Sequence, residues 1–280
     1  MSPASKKVLY LSDLDGTLLT KDARLSDYAV KTLTRLLDQG VLFSFATART
    51  GESALKIMKE LPLKVPAILM NGVLIYNFEM QEFVSRQYLE KDAVQTVKQL
   101  LCAAGIGGFL YRLEGRSVMT YYETADSPEK QAFIEERQKR YQKPFTQVDH
   151  FSDIPDEDTI YFTLLENKER LDRIAAELEQ RPDIGFTFYR DIYHPGKWYL
   201  EIFSGRASKY HAACWLKDYL KVDKLVGFGD NLNDLPLFRA CDETYAVGNA
   251  VEELKQRATG VILPNTEDGV PRFLEEHAAF

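Results

Sequence analysis

Two carboxylates two residues apart, Asp13 and Asp15, open the stretch Asp13-Leu14-Asp15-Gly16-Thr17. It follows directly on an apolar-rich run over residues 7–12 that suits a buried strand. Residues i and i+2 of an extended chain project to the same side, so both acids can face one ligand. Gly16 lets the backbone turn sharply and come close to it. Like charges this near one another need a cation between them, or a proton on one of them. An all-oxygen donor set suits magnesium. Taken alone, the stretch reads equally well as a strand-end turn with solvated aspartates. A calcium loop beginning at Asp13 is excluded, because its twelfth position requires Glu and holds Arg24.

Three other stretches carry compatible chemistry. Gly229-Asp230-Asn231-Leu232-Asn233-Asp234 follows a second apolar strand and opens a helix. Its acids could bind a metal there, or Asp230 or Asn231 could simply cap the helix. Phe45-Ala46-Thr47-Ala48-Arg49 ends a third strand. The Thr47 hydroxyl, with free backbone N–H groups after it, can hold a phosphate oxygen; a threonine cap is the plain alternative. Lys209 sits near a helix start in Ala207-Ser208-Lys209-Tyr210. The helix dipole does not favour a cation there, so Lys209 is either a solvated charge or has a specific partner.

The elements that must position these groups are written in the apolar pattern. Ser26 is a fit N-cap, and Val30, Leu33 and Leu37 repeat at helical spacing until Gly40 stops the helix. Apolar runs at 41–46 and 67–70 flank a helix at 52–61. This strand–helix alternation predicts a parallel sheet with right-handed crossovers, whose ligand sites lie at the carboxyl ends of the strands. The last quarter resumes the rhythm: helix 208–220, strand 224–228, helix 231–240, strand 244–247, helix 251–258 and a C-terminal helix from Gly269. The middle differs. Ala93, Val94, Val97, Leu100, Leu101 and Ala104 stripe one helix. Strands follow at 108–112 and 117–122 around Glu114-Gly115, then a charged helix at 128–141, a strand at 159–165, a helix at 168–180, and strands at 186–189 and 198–203. The fold class expected is α/β: a Rossmann-like parallel-sheet core, residues 1–82 and 206–280, interrupted by an inserted α+β domain, residues 83–205.

Composition narrows the function classes. The chain has 280 residues, 45% hydrophobic and 28% charged, enough for two modest domains with a full core. A formal charge of -7 argues against nucleic acid or an anionic membrane as partner. The three cysteines, Cys102, Cys214 and Cys241, are far apart and read as buried thiols in a reducing compartment. Neither a signal peptide nor a run of about 18 apolar residues is present. A soluble cytoplasmic protein is expected. The four histidines are scattered, so a zinc site is not.

Taken together, the four stretches resemble the motifs of the haloacid dehalogenase superfamily, and within it the Cof-type phosphatases with a large α/β (C2-type) cap. Asp-x-Asp-Gly-Thr stands at Asp13–Thr17, the strand-end Ser/Thr at Thr47, the helix-opening Lys at Lys209 and Gly-Asp-x-x-Asn-Asp at Gly229–Asp234. Asn71-Gly72, Gly248-Asn249-Ala250 and Glu267-Asp268-Gly269-Val270 are similar to subclass stretches. Ala48 departs from the family, which often has glycine there.

The resemblance implies a magnesium-dependent phosphatase. Asp13 would be the nucleophile and Asp15 the general acid and base. Thr47, the Ala48 N–H, Lys209 and Asn233 would hold the phosphoryl oxygens. Asp13, the Asp15 carbonyl and Asp230 would hold Mg2+, with Asp234 orienting its neighbours. It implies small phosphorylated metabolites as substrates, sugar phosphates first, for a monomer or weak homodimer. Arg112, Tyr189, Arg190, His194, Lys197 and Trp198 are candidates for reading the leaving group. The rival readings are a phosphomutase on hexose phosphates and a catalytically silent Mg2+- and phosphate-binding regulator.

Overall fold

The computed structural model describes residues 6–191 and 196–278. The chain divides into two compact units, Met1–Ser85 with Ser208–Phe280, and Arg86–Ala207.

The first unit begins with β1 (Val8–Ser12), α1 (Asp27–Asp38), β2 (Leu42–Phe45), α2 (Gly51–Met58), β3 (Ala67–Leu69), β4 (Leu74–Asn77) and β5 (Glu82–Arg86). Ser26 caps α1, its hydroxyl accepting from the Ala29 N–H at 2.9 Å, and Leu33, Leu36 and Leu37 are buried on one face. The chain then forms the second unit: α3 (Lys91–Ala104), β6 (Phe109–Glu114), β7 (Ser117–Tyr122), α4 (Pro128–Tyr141), β8 (Phe145–Gln147), β9 (Thr159–Asn167), α5 (Lys168–Leu178), β10 (Ile184–Arg190) and β11 (Lys197–Ser204). It returns with α6 (Lys209–Leu220), β12 (Lys224–Gly229), α7 (Leu235–Ala240), β13 (Glu243–Val247), α8 (Glu252–Lys255), β14 (Gly260–Ile262) and α9 (Gly269–His277).

In the first unit five parallel strands run in the order β14-β13-β12-β1-β2. β1, paired on both sides, is buried on both faces (Leu9, Leu11 and Ser12 are fully buried) and is accordingly mostly apolar. Leu9, Leu11, Ile68, Ala213, Leu216, Leu225 and Leu237 share one apolar cluster. The third strand expected from the sequence, 67–70, joins this sheet only through a parallel bridge between Ala46 and Ile68. Its main pairing is antiparallel, with β4, in a three-stranded sheet β3-β4-β5. The helix expected over 231–240 is a single tight turn, Leu232–Asp234, followed by α7.

The second unit is a six-stranded sheet in the order β10-β11-β9-β6-β7-β8, antiparallel except between β7 and β8. Val94, Val97 and Leu101 of α3 and Leu171, Ile174 and Leu178 of α5 pack on Leu110, Phe162, Leu164, Leu200 and Ile202. These sheet residues alternate with Phe109, Tyr161 and Tyr199, which therefore face the other way; there α4 stacks Phe133 on Phe109 at 4.5 Å. Cys102 on α3 is exposed rather than buried, and Cys214 and Cys241 are partly so. Among the described residues no helix is long and apolar enough to cross a membrane.

Candidate active site

Parallel neighbours end at the same edge of a sheet, and that fact assembles the site. Ser12 pairs with Phe228 on one side and Phe45 on the other, so the residues after β1, β12 and β2 leave together. The Asp13 N–H donates to the Phe228 carbonyl at 3.0 Å. After Asp13 the chain makes one turn, Leu14–Leu18, interrupted by extended Asp15 (φ −76°, ψ 122°) and left-handed Gly16 (φ 79°). A Cβ at residue 16 would stand 2.3 Å from Asp230 Oδ2. Glycine is thus required twice, by its φ and by the approach to Asp230. The Thr17 hydroxyl donates to Asp230 Oδ1 at 3.1 Å.

Lys209 opens α6 beside its cap Ser208, whose hydroxyl accepts from the His211 N–H at 3.0 Å. Its side chain is 1% exposed, and its ammonium donates to Asp13 Oδ1 at 2.6 Å and Asp234 Oδ1 at 2.7 Å. The other Asp234 oxygen accepts from the Asp230 and Asn231 N–H groups at 3.0 and 3.2 Å. This cation, near a helix start where the dipole opposes it, is therefore fixed by two buried acids.

One ammonium does not balance the cluster. Oxygens of Asp13, Asp230 and Asp234 lie within 4.8 Å of one another. Burial, then Asp234, push the Asp13 carboxyl well above the ordinary range, against the pull of Lys209. Burial and Asp234 likewise raise Asp230 to about 7. Burial alone would lower Lys209, but Asp13 and Asp234 outweigh it and hold the ammonium charged. With all three acids ionised, the group carries two negative charges in excess of Lys209. Its donors are carboxylate oxygens, with neither imidazole nor thiol among them. Such a site fits a small, hard divalent cation.

Thr47 is buried beside this group, its hydroxyl accepting from the Arg49 N–H at 3.1 Å. The Ala48 N–H and the half-buried Asn233 amide have no hydrogen-bond partner among the described residues. Asp15 stands apart from the acid cluster. Its carboxylate is 46% exposed and is gripped by Arg49, whose Nε and a terminal nitrogen both donate at 2.6 Å. Arg49 lay inside the quoted Thr47 stretch, but nothing in the spacing tied it to Asp15. The sequence reading also missed a pair of amides. Asn249 Nδ2 donates to the Gly16 carbonyl at 2.7 Å, Asn249 Oδ1 accepts from the Asn265 N–H at 2.9 Å, and Asn265 Nδ2 donates to the Leu19 carbonyl at 2.7 Å. Together they hold the middle and the far end of the turn that carries Asp15. Asn249 lay in a subclass-like stretch; Asn265 had no signal.

The leaving-group candidates do not share a face. Trp198 packs on the apolar cluster under α3 and α5, tilted against Phe188 at 5.1 Å. Arg112 is bound to Glu114 and the Glu157 carbonyl. Lys197 lies 3.6 Å from Glu166 and 3.9 Å from Glu129. Tyr189, on the opposite face from Trp198, stacks on Tyr199 at 5.5 Å. Arg190 is exposed, and His194 lies outside the described residues.

Comparison with known proteins agrees with this architecture. The model of the haloacid dehalogenase-like hydrolase family matches residues 10–274. A 5-amino-6-(5-phospho-D-ribitylamino)uracil phosphatase of Bacillus subtilis is 24% identical over 284 residues, covering 94% of this chain and 96% of that protein. A pyridoxal phosphate phosphatase of Escherichia coli is 25% identical over 278 residues, covering 95% and 96%. The crystal structure of a haloacid dehalogenase-like hydrolase from Bacteroides thetaiotaomicron superposes with a TM-score of 0.80 at 21% identity, covering 97% of this chain and 99% of the other. A parallel sheet flanked by helices, together with a separate largely antiparallel unit, is the architecture of that family, and the chain belongs to the haloacid dehalogenase-like hydrolases of the Cof type.

Proposed function

We propose that the chain is a magnesium-dependent phosphomonoester hydrolase that works through a phosphorylated Asp13. The observation that carries this reading is the buried group of three carboxylates around a single ammonium, two charges short of neutrality. Asp13, Asp230 and the Asp15 carbonyl would hold Mg2+, which when bound offsets the repulsion between an anionic nucleophile and a phosphate dianion.

The residues of the chain supply the remaining chemistry. The free oxygen of Asp13 attacks phosphorus, and the bond to the leaving alkoxide breaks. Asp15, half exposed and oriented by Arg49, gives that alkoxide its proton and then takes one from the water that hydrolyses the acyl phosphate. Thr47, the Ala48 N–H, Lys209 and Asn233 hold the transferring oxygens. Asp234 orients Lys209 and the start of its own turn. We assign catalysis to residues 1–82 and 206–280, and recognition of the leaving group to residues 83–205. Substrates are small phosphorylated metabolites, sugar phosphates first; the named relatives act on phosphate esters of small organic alcohols. A cytoplasmic setting is part of the same proposal.

The test is release of inorganic phosphate from a panel of phosphorylated metabolites with magnesium, run beside Asp13→Asn. The variant should remain folded, as thermal melting would show, and lose turnover. Near-wild-type activity would remove Asp13 from the nucleophile role.

A further inference from the structure

Asn71-Gly72 was singled out in the sequence and has no part in the chemistry above. In the structure it lies in three consecutive residues of left-handed backbone: Met70 (φ 49°), Asn71 (φ 55°) and Gly72 (φ 97°). Residues with a Cβ rarely adopt this conformation, asparagine more readily than methionine, and Met70 and Asn71 are both buried. Strain of this kind persists only where the surroundings over-determine it, and it collects at functional sites.

The surroundings here are two of the loops of the site. The Met70 N–H donates to the Arg49 carbonyl at 3.0 Å, and the Asn71 N–H to the Thr47 carbonyl at 3.0 Å. Both backbone ends of Thr47-Ala48-Arg49 are thus clasped by successive residues of the turn. Gly72 then meets the start of α6. A Cβ at residue 72 would lie 2.3 Å from the Ser208 carbonyl oxygen and 2.5 Å from its carbon, atoms of the peptide bond that leads into Lys209. That oxygen is already committed, accepting from the Ala212 N–H at 3.0 Å. No side chain fits the gap, and the backbone on the far side cannot withdraw without unwinding the first turn of α6.

We propose that Met70-Asn71-Gly72 is a positioning clasp, which sets the distance between the Thr47–Arg49 loop and Lys209 by backbone shape alone. Asn71 and Gly72 are its positioning residues. They touch no reacting atom; they act through Thr47, Arg49 and Lys209. The left-handed run turns the chain through a tighter path than αR or β residues allow, so that one face of the turn donates to the loop and the other abuts the Ser208–Lys209 peptide.

This inference rests on the reading of Thr47 and Lys209 as phosphate-holding groups, and its test separates the two. The measurements are kcat and KM for phosphate release per folded molecule, and calorimetric binding of inorganic phosphate to the full chain with magnesium. Gly72→Ala should lower kcat about 100-fold, the scale of a displacement of about 1 Å among catalytic groups, and weaken phosphate at least tenfold. Its effect should largely disappear in a Lys209→Ala background, since both changes act on one group. Asn71→Ala, which folds at the cost of one strained residue, should lose about tenfold in kcat, and Asn71→Gly, free to adopt the same φ, should return to within about threefold of wild type. Gly72→Ala or Asn71→Ala with wild-type phosphate affinity overturns the proposal, as does full additivity with Lys209→Ala. If Gly72→Ala does not fold, the Asn71 pair decides. A wild-type protein that binds phosphate but hydrolyses no ester would sink the proposed function, and the binding comparison would still judge the clasp.

Discussion

Replacing Lys209 by methionine tests the charge reasoning most directly. Methionine matches the stem in length and shape and removes only the ammonium. In the wild-type protein that ammonium lies 2.6 Å from Asp13 and 2.7 Å from Asp234, both essentially excluded from water. Deleting one partner of a buried pair costs about 3–5 kcal/mol, because the remaining charge stays buried and unpaired. At about 2–4 °C per kcal/mol for a unit of this size, Lys209→Met should melt about 6–20 °C below wild type in chelator. Adding Asp234→Asn removes one stranded acid, so the double variant should recover part of the loss rather than add to it. Magnesium should raise the melting temperature of Lys209→Met more than that of wild type, since the variant has three acids and no competing cation. Calorimetry or circular dichroism melting of wild type, Lys209→Met, Asp234→Asn and the double variant, with and without magnesium, gives the whole cycle. A Lys209→Met protein that melts within about 2 °C of wild type in chelator would refute the argument, for the acids would then not depend on the ammonium.

Other outcomes follow from the same geometry. Asp15→Asn should slow hydrolysis of alkyl phosphates by about 10²–10⁴-fold and of nitrophenyl phosphate much less; equal losses on both would take Asp15 out of proton transfer. Gly16→Ala drives a Cβ into the Asp230 carboxylate and should weaken magnesium about 10–100-fold by calorimetry; unchanged affinity would contradict the close approach. In the second unit, burial opposes ionisation of Asp156, but Lys98 at 2.7 Å and Gln95 at 2.9 Å outweigh it and hold the carboxyl below its ordinary value. An unfolded aspartate titrates near roughly 3.9, so this stabilisation is complete above that pH and disappears as pH falls through the lower folded value. Asp156→Asn should therefore cost about 1–3 kcal/mol at pH 7 and progressively less as acid protonates the carboxylate; a pH-independent difference would argue against the ion pair.

What the sequence made legible is what local chemistry dictates. β1 could be read because a strand buried on both faces must be apolar, and α1 because Ser26 caps it and Leu33 and Leu37 repeat along it. Three of the four motif stretches could be read because each follows a strand of one parallel sheet, whose neighbours end together; the fourth opens α6 with Lys209. Arg49 could not be matched to Asp15, nor Asn249 to Gly16, because an ion pair or a hydrogen bond between distant residues leaves no period in the chain. β4, β5, β8 and β14 were missed; β8 and β14 are three residues each, too short for alternation to show. The antiparallel turn from β3 to β4 was hidden for a different reason. It depends on left-handed Met70 as well as Asn71, and methionine does not announce that conformation.

The placement of β1 has a consequence for how the molecule is made. Leu9 pairs with Leu42 on one side and with Leu225 on the other. A chain leaving the ribosome at about 5–20 residues per second presents the second partner about 10–40 s after the first. Throughout that interval the nascent sheet has an unpaired edge at β1, and before it ends residues 86–207 are complete and hold every strand of their own sheet. The order of synthesis therefore favours completing the inserted unit first and leaves the open side of β1 as the surface a chaperone would meet.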